Sequence, residues 1–392
     1  MGTSLERGPG SGSGRLMGAA GAPSTPYFLV DEERLTKNLE LLKRVAEEAG
    51  CKILLAQKAF SMFSCYPLLR KYLAGTTASG LYEARLGHEE FGGETHVFSP
   101  AYRPEEFDQL LQYVDDVVFN SPAQVRKYAE RARAAGKSVG LRVNPECSTQ
   151  EGHAIYDPCA PGSRLGTTVE SFDESLLPLL DGLHFHTLCE QNSDALEVTV
   201  QAFEEKFGKY LSGMRWLNLG GGHHITRPDY DVERLIRIIR HLKETYGVEV
   251  YLEPGEAVVL NAGFLVSQVL EIVDNQMKIA ILDASAACHM PDVLEMPYRP
   301  PLAGSGEPGE KAYTYRLAGP TCLAGDVIGD YSFDEELREG SIVVFEDMAL
   351  YTMVKTNTFN GMALPAIAWR GKDGDVRTVK EFGYEDFRER LS

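Results

Sequence analysis

The stretch DEERLTKNLELLKRVAEEAGCKILLAQKAF, residues 31–60, holds one full period of the pattern that organises this chain. Asp31 is a helix-capping residue type, Leu35, Leu39, Leu42 and Val45 share one helical face, and Gly50 closes the helix. A short apolar strand follows, Lys52–Gln57, and Lys58 stands at its end. A lysine placed there exposes its amine to a site rather than to open water. Desolvation lowers an amine's pKa and makes it a usable nucleophile. Many strand-end lysines do no more than snorkel to the surface, so the rest of the chain has to decide.

Outward from this period the pattern repeats. Strand-like runs recur at Thr76–Ser79, Thr95–Ser99, Val117–Asn120, Ser138–Val143, Gly182–Thr187, Arg215–Leu219 and Val248–Leu252, giving eight in all. Helical patterns such as Pro122–Ala135, Ser193–Leu211 and Tyr230–Tyr246 lie between them. Strands that alternate with helices pair in parallel. Eight units in about 230 residues suit a (β/α)8 TIM-type barrel; periodicity alone leaves an open doubly wound sheet as the alternative. After Asn261 strand-like runs dominate, at Phe264–Val273, Lys278–Leu282, Tyr313–Leu317, Ile342–Phe345 and Pro365–Trp369. The expected organisation is a barrel over 31–262 and a second, mainly antiparallel domain, β-sandwich or barrel-like, made of residues 23–30 and 263–392. Residues 1–22, rich in Gly, Ser and Ala, are expected to be a disordered tail without the apolar stretch of a secretory signal.

Composition narrows the function classes. The 392 residues carry 39 basic and 57 acidic side chains, a net charge of −18. That repels nucleic-acid phosphates and favours cationic small molecules. No apolar run reaches the roughly 18 residues that span a bilayer. Seven scattered cysteines without a CxxC suit free thiols in a reducing, cytoplasmic setting.

In a β/α barrel the reactive groups come from the C-terminal ends of the strands. The unusual polar residues fall there: Lys58, Arg142, His184 and His186, Gly220-Gly221-Gly222, and Glu253-Pro254-Gly255. The glycines are neither GxGxxG nor a P-loop, yet they can bring backbone N–H groups to a phosphate. His184, His186, His223 and His224 lack a carboxylate or cysteine at ligand spacing, so no metal is expected. A lysine nucleophile, a phosphate cradle and a buried carboxylate together fit pyridoxal 5′-phosphate.

Taken together, the runs Ala56-Gln57-Lys58-Ala59, Ala78-Ser79-Gly80-Leu81-Tyr82-Glu83, His184 to Glu190, Asn218 to His224 and Glu253-Pro254-Gly255-Glu256 resemble the alanine-racemase-fold, pyridoxal-phosphate-dependent decarboxylases. So do Asp283 to Asp292, Gly319-Pro320-Thr321-Cys322 and Phe359-Asn360-Gly361. The resemblance implies that Lys58 forms the Schiff base, His186 stacks on the cofactor ring and Glu253 pairs with the ring nitrogen. It implies phosphate binding by Gly220, Gly221, Gly222, Gly255 and Glu256, with Arg142 nearby and the Tyr351 hydroxyl added. It makes Cys322 the group that reprotonates the α-carbon, and it implies a homodimer with shared sites.

Two departures bear on substrate. Ornithine decarboxylases resembling this chain have an arginine where Glu256 stands and an acid where Leu323 stands. Leu188-Cys189-Glu190 and the Cys288–Asp292 run are instead similar to the carboxynorspermidine/carboxyspermidine branch. That implies a carboxylated polyamine substrate of spermidine or norspermidine biosynthesis, with Asp292 and Glu295 reading its distal amines. The alternatives are a diaminopimelate, arginine or ornithine decarboxylase on the same fold, or an inactive regulatory homologue, for which Lys58, Glu253 and Cys322 would have no use.

Overall fold

The computed structural model describes residues 21–150 and 154–392. Of the tail expected over residues 1–22, all but the last two positions lie outside them. The chain divides into two compact units, Lys37–Val258 and residues 21–36 with Val259–Ser392.

Strand β1 (Tyr27–Asp31) belongs to the second of these units. The next eight strands are β2 (Lys52–Ala56), β3 (Gly75–Ala78), β4 (Glu94–Phe98), β5 (Asp116–Phe119), β6 (Ser138–Arg142), β7 (Gly182–His184), β8 (Trp216–Asn218) and β9 (Glu249–Leu252). All are parallel to their neighbours and they close into a barrel, β9 returning to β2 through Lys52↔Tyr251 and Ile53↔Leu252. The chain therefore forms the (β/α)8 barrel and not the open sheet. Its first helix runs Glu32–Ala49; Asp31 accepts the Arg34 amide at 3.0 Å, and Gly50 ends it at φ +67°. Apolar residues every three to four positions bury Leu35, Leu39, Leu42 and Val45 completely.

Side chains fill the lower barrel. Trp216 occupies the space left by two glycines, since a Cβ at Gly140 or Gly182 would stand 2.2 or 2.0 Å from its ring. Its Nε1 donates to Ser138 Oγ at 2.8 Å, and Leu54, Val118 and Tyr251 pack beside it. Near the strand starts a polar layer sits under this plug: Lys52 bonds Glu94 at 2.5 Å, and His96 lies 3.3 Å from Asp116 and 3.4 Å from Glu94. The opposite end of the barrel, where the strands finish, is left for chemistry.

In the second unit, β1 is joined by β10 (Gly263–Asp274), β11 (Lys278–Leu282), β12 (Tyr313–Ala318), β13 (Val327–Phe333), β14 (Ile342–Glu346), β15 (Ala366–Arg370) and β16 (Val376–Lys380). They form one sheet in the order β13-β12-β11-β10-β1-β15-β16, with β14 paired to β10. Five of the seven pairings are antiparallel. Alternation sends Phe28, Leu265 and Phe345 into one apolar cluster and Tyr27, Leu29, Phe264, Val266 and Val344 into another. With both faces covered, the central strands read as unbroken apolar runs. β13 and β16 were not expected from sequence: VIGDYSF holds Gly, Asp and Ser, and VRTVK exposes four of its five residues at the sheet edge. No described helix is long and apolar enough to cross a membrane.

Candidate active site

Lys58 leaves β2 in a tightly held turn. The Ala56 amide donates to Pro254 O at 3.1 Å, that of Gln57 to Thr77 O at 3.2 Å and that of Ala59 to Ala56 O at 3.0 Å. The adjacent Gln57 side chain is fully buried, accepting from Tyr66 OH at 3.1 Å and donating to Glu83 O at 2.8 Å. Lys58 itself keeps an exposed side chain and makes no hydrogen bond or ion pair among the described residues. It nevertheless stands deep among protein groups: burial lowers its pKa and the Arg142 charge adds to this, against the pull of Glu253 and Glu83. An amine that is accessible, unpaired and easily deprotonated is a nucleophile.

Glu253 follows β9 and is 7% exposed. Its Oε1 accepts from Asn218 Nδ2 at 2.8 Å and its Oε2 from His184 Nε2 at 3.4 Å. Burial alone would push this carboxyl up; His184, Asn218 and His96 outweigh it and hold it at about 2. His184, whose pKa burial lowers, donates as a neutral ring, stacked 5.6 Å from Phe98. Phe98 also carries the Arg142 guanidinium, 4.5 Å from the ring centroid, whose Nη2 donates to His186 O at 3.2 Å. Burial brings Arg142 down to about 10, still charged at neutral pH.

The glycine turn after β8 is interlocked with these groups. Gly220 and Gly222 have φ of +69° and +81°. A Cβ on Gly222 would lie 2.0 Å from Leu188 O, and one on Gly221 2.5 Å from Glu253 O. The Gly220 amide donates to Asn218 Oδ1 at 2.8 Å and that of Gly221 to His186 Nδ1 at 3.1 Å. His186 is thereby fixed with its proton on Nε2, and burial together with Lys58 and Arg142 keeps it neutral. The amides of Gly222, Gly255 and Glu256 have no acceptor among the described residues. Beside them Glu190 sits in the left-handed region at φ +52°; burial and then Glu256 raise its carboxyl above the usual carboxylate range, while His224 Nε2 lies 3.4 Å from Glu256.

The second unit gathers the remaining motifs around Asp326. This buried carboxylate accepts from Ser285 Oγ at 2.8 Å, Thr321 Oγ1 at 2.7 Å, Thr321 N at 3.3 Å and Ala287 N at 3.2 Å. It ties the Asp283–Asp292 run to the loop that carries Cys322. Cys322 is exposed, and its amide donates to Asn360 Oδ1 at 2.7 Å. Asn357 Nδ2 donates to Ala287 O at 2.8 Å, so Phe359-Asn360-Gly361 joins the same cluster. Asp292 and Glu295 share Lys355, at 2.5 and 3.4 Å. Tyr351 is half-buried in the left-handed region at φ +47°. Sequence reading gave no role to Asn218, Phe98, Asp326 or Lys355. Of these, Asn218 alone stood within a recognised run, as its first residue, two positions before the glycines.

Comparison with known proteins places this geometry. The family model described as "Pyridoxal-dependent decarboxylase, C-terminal sheet domain" matches residues 28–349. The chain belongs to the pyridoxal-dependent decarboxylases. A carboxynorspermidine/carboxyspermidine decarboxylase of Campylobacter jejuni is 42% identical over 93% of this chain and 97% of its own. A carboxyaminopropylagmatine decarboxylase of Synechocystis is also 42% identical, over 94% and 95%. The crystal structure of Campylobacter jejuni carboxynorspermidine decarboxylase complexed with norspermidine superposes with a TM-score of 0.89 at 41% identity, covering 94% of this chain and all of that one. The cofactor of this pyridoxal-dependent decarboxylase is pyridoxal phosphate, and the barrel residues fit it. They offer an unpaired amine, an ionised buried carboxylate, and three unspent backbone donors whose surroundings leave no room for a side chain at Gly222 or Gly255.

Proposed function

We propose that this enzyme decarboxylates carboxynorspermidine or carboxyspermidine, releasing CO2 and leaving norspermidine or spermidine. The single observation that carries the substrate class is the 42% identity to the Campylobacter jejuni decarboxylase of that name over nearly its whole length. Leu323, exposed and apolar, follows Cys322 where an acid would hold a short diamine. Asp292 and Glu295 already bind an ammonium, that of Lys355, and are the acids proposed for the distal amines.

Bound pyridoxal phosphate supplies an electron sink for the pair left behind when CO2 departs. Around it the chain's own groups divide the work. Lys58, whose amine burial makes easier to deprotonate, would hold the cofactor. Glu253, held ionised by Asn218 and His184, keeps the proton on the ring nitrogen. Neutral His186, its orientation fixed by the Gly221 amide, would lie against the ring, and Arg142 would supply positive charge close by. The free amides of Gly222, Gly255 and Glu256 hold the phosphate; Gly220 and Gly221 shape that turn, their amides serving Asn218 and His186. Cys322, an exposed thiol, would deliver a proton to the α-carbon. Cys322 and Tyr351 serve sites shared across a homodimer in the cytoplasm.

The equal identity to a carboxyaminopropylagmatine decarboxylase supports a second reading, a substrate ending in a guanidinium. CO2 release from carboxynorspermidine, carboxyspermidine, carboxyaminopropylagmatine, ornithine and diaminopimelate, measured side by side, separates the readings. The proposal requires the first two to give the highest kcat/KM. A higher value for carboxyaminopropylagmatine moves the assignment to the guanidino substrate, and a higher value for ornithine or diaminopimelate refutes both readings.

A further inference from the structure

One fully buried amide joins the two ends of the proposed cofactor site. Asn218 closes β8 and lies in register with His184 on one side and Tyr251 on the other. It is 0% exposed. Its Nδ2 donates to Glu253 Oε1 at 2.8 Å, and its Oδ1 accepts the Gly220 amide at 2.8 Å. The Glu253 amide in turn donates to Gly220 O at 2.8 Å, and a Cβ on Gly220 would stand 2.6 Å from Phe185 O. A leucine would fill the same space. It would leave one carboxylate oxygen and one amide without partners, and each such loss is costly when buried.

We infer that Asn218 is a positioning residue that locks the Glu253 carboxylate to the Gly220 turn, so that the acid for the ring nitrogen and the amides for the phosphate stand at a fixed separation. The inference rests on the proposed placement of the cofactor's ring nitrogen at Glu253. Asn218 acts through its two partners, Glu253 and Gly220.

A donor–acceptor swap tests it. Asn218→Asp keeps an oxygen for Gly220 but sets a second carboxylate against Glu253. Asn218→Asp with Glu253→Gln restores an amide-to-carboxylate bond in the reverse direction. Apoprotein of each variant is titrated with pyridoxal phosphate, and the Kd is read from near-visible absorbance without substrate. Asn218→Asp is expected to weaken binding about tenfold, the value of one charge-assisted hydrogen bond, and the double variant to recover most of that loss. Binding by Asn218→Asp within twofold of the parent, or a double variant as weak as the product of the two singles, overturns the inference. If Asn218→Asp does not fold, Asn218→Ala in the same cycle decides, coupling again requiring a double variant less impaired than that product. Recovery in the swap while Glu253→Gln turns over substrate at the parental rate supports the lock and removes Glu253 from the ring nitrogen, so the two failures are told apart.

Discussion

Replacing Glu253 by glutamine isolates one charge in an otherwise preserved site. The amide keeps both bonds: its Oε1 accepts from Asn218, and its Nε2 donates to His184 once the imidazole proton moves to Nδ1, an atom with no partner in the fold. What is lost is ionisation. Glu253 titrates at about 2 instead of 4.5. At 1.36 kcal/mol per tenfold in proton affinity, the fold favours the carboxylate by roughly 3 kcal/mol. Because the folded value is depressed, that stability is complete above pH 4.5 and disappears as the pH falls through 2. For a unit of this size about 3 kcal/mol lowers Tm by roughly 6–12 °C. Thermal melts of the cofactor-free proteins by circular dichroism should show that gap at pH 7 and less than about half of it at pH 3. With cofactor and substrate present, kcat should fall while the cofactor stays bound. A glutamine variant that melts at or above the parent at pH 7, or a gap that does not change with pH, refutes the reasoning.

Cys322→Ala should cut amine formation by about 10²–10⁴-fold, the usual value of a positioned proton donor, with little change in cofactor Kd; parental turnover would exclude it as the acid. Asp292→Asn should raise KM for the polyamine at least as much as it lowers kcat, since distal recognition is mostly uniform binding; an effect on kcat alone would remove Asp292 from substrate recognition. Lys355→Met, which frees Asp292 and Glu295 from their internal cation, should lower KM by up to about fivefold, the ceiling for a partly exposed pair; a raised KM would show that Lys355 supports the subsite instead of competing for it.

The barrel was legible because a parallel strand buried on both faces reads as a short apolar run, and the helix after it as a 3.6-residue stripe. Strands β13 and β16 were not, because Gly329, Asp330 and Ser332 carry no strand propensity and β16 turns mostly to solvent. Lys58 and Glu253 stood out as charges at the ends of apolar runs. Asn218 and Asp326 are single polar residues whose partners lie 35 to 41 positions away for Glu253 and Ser285, a relation no local pattern encodes. The triple glycine announced a tight turn, but only the fold reveals that two of its three amides are bonded to Asn218 and His186. The pairing of Asp292 and Glu295 with Lys355 spans about 60 residues and was equally invisible.

The central claim is that the end of the barrel around Lys58 holds pyridoxal phosphate. Borohydride reduction of the cofactor-loaded protein, followed by peptide mapping, tests it most directly. The account predicts a reduced pyridoxyl adduct on Lys58 and no adduct in Lys58→Ala, whose near-visible band should also vanish. An adduct on another lysine, or an unchanged band and adduct yield in Lys58→Ala, would contradict it.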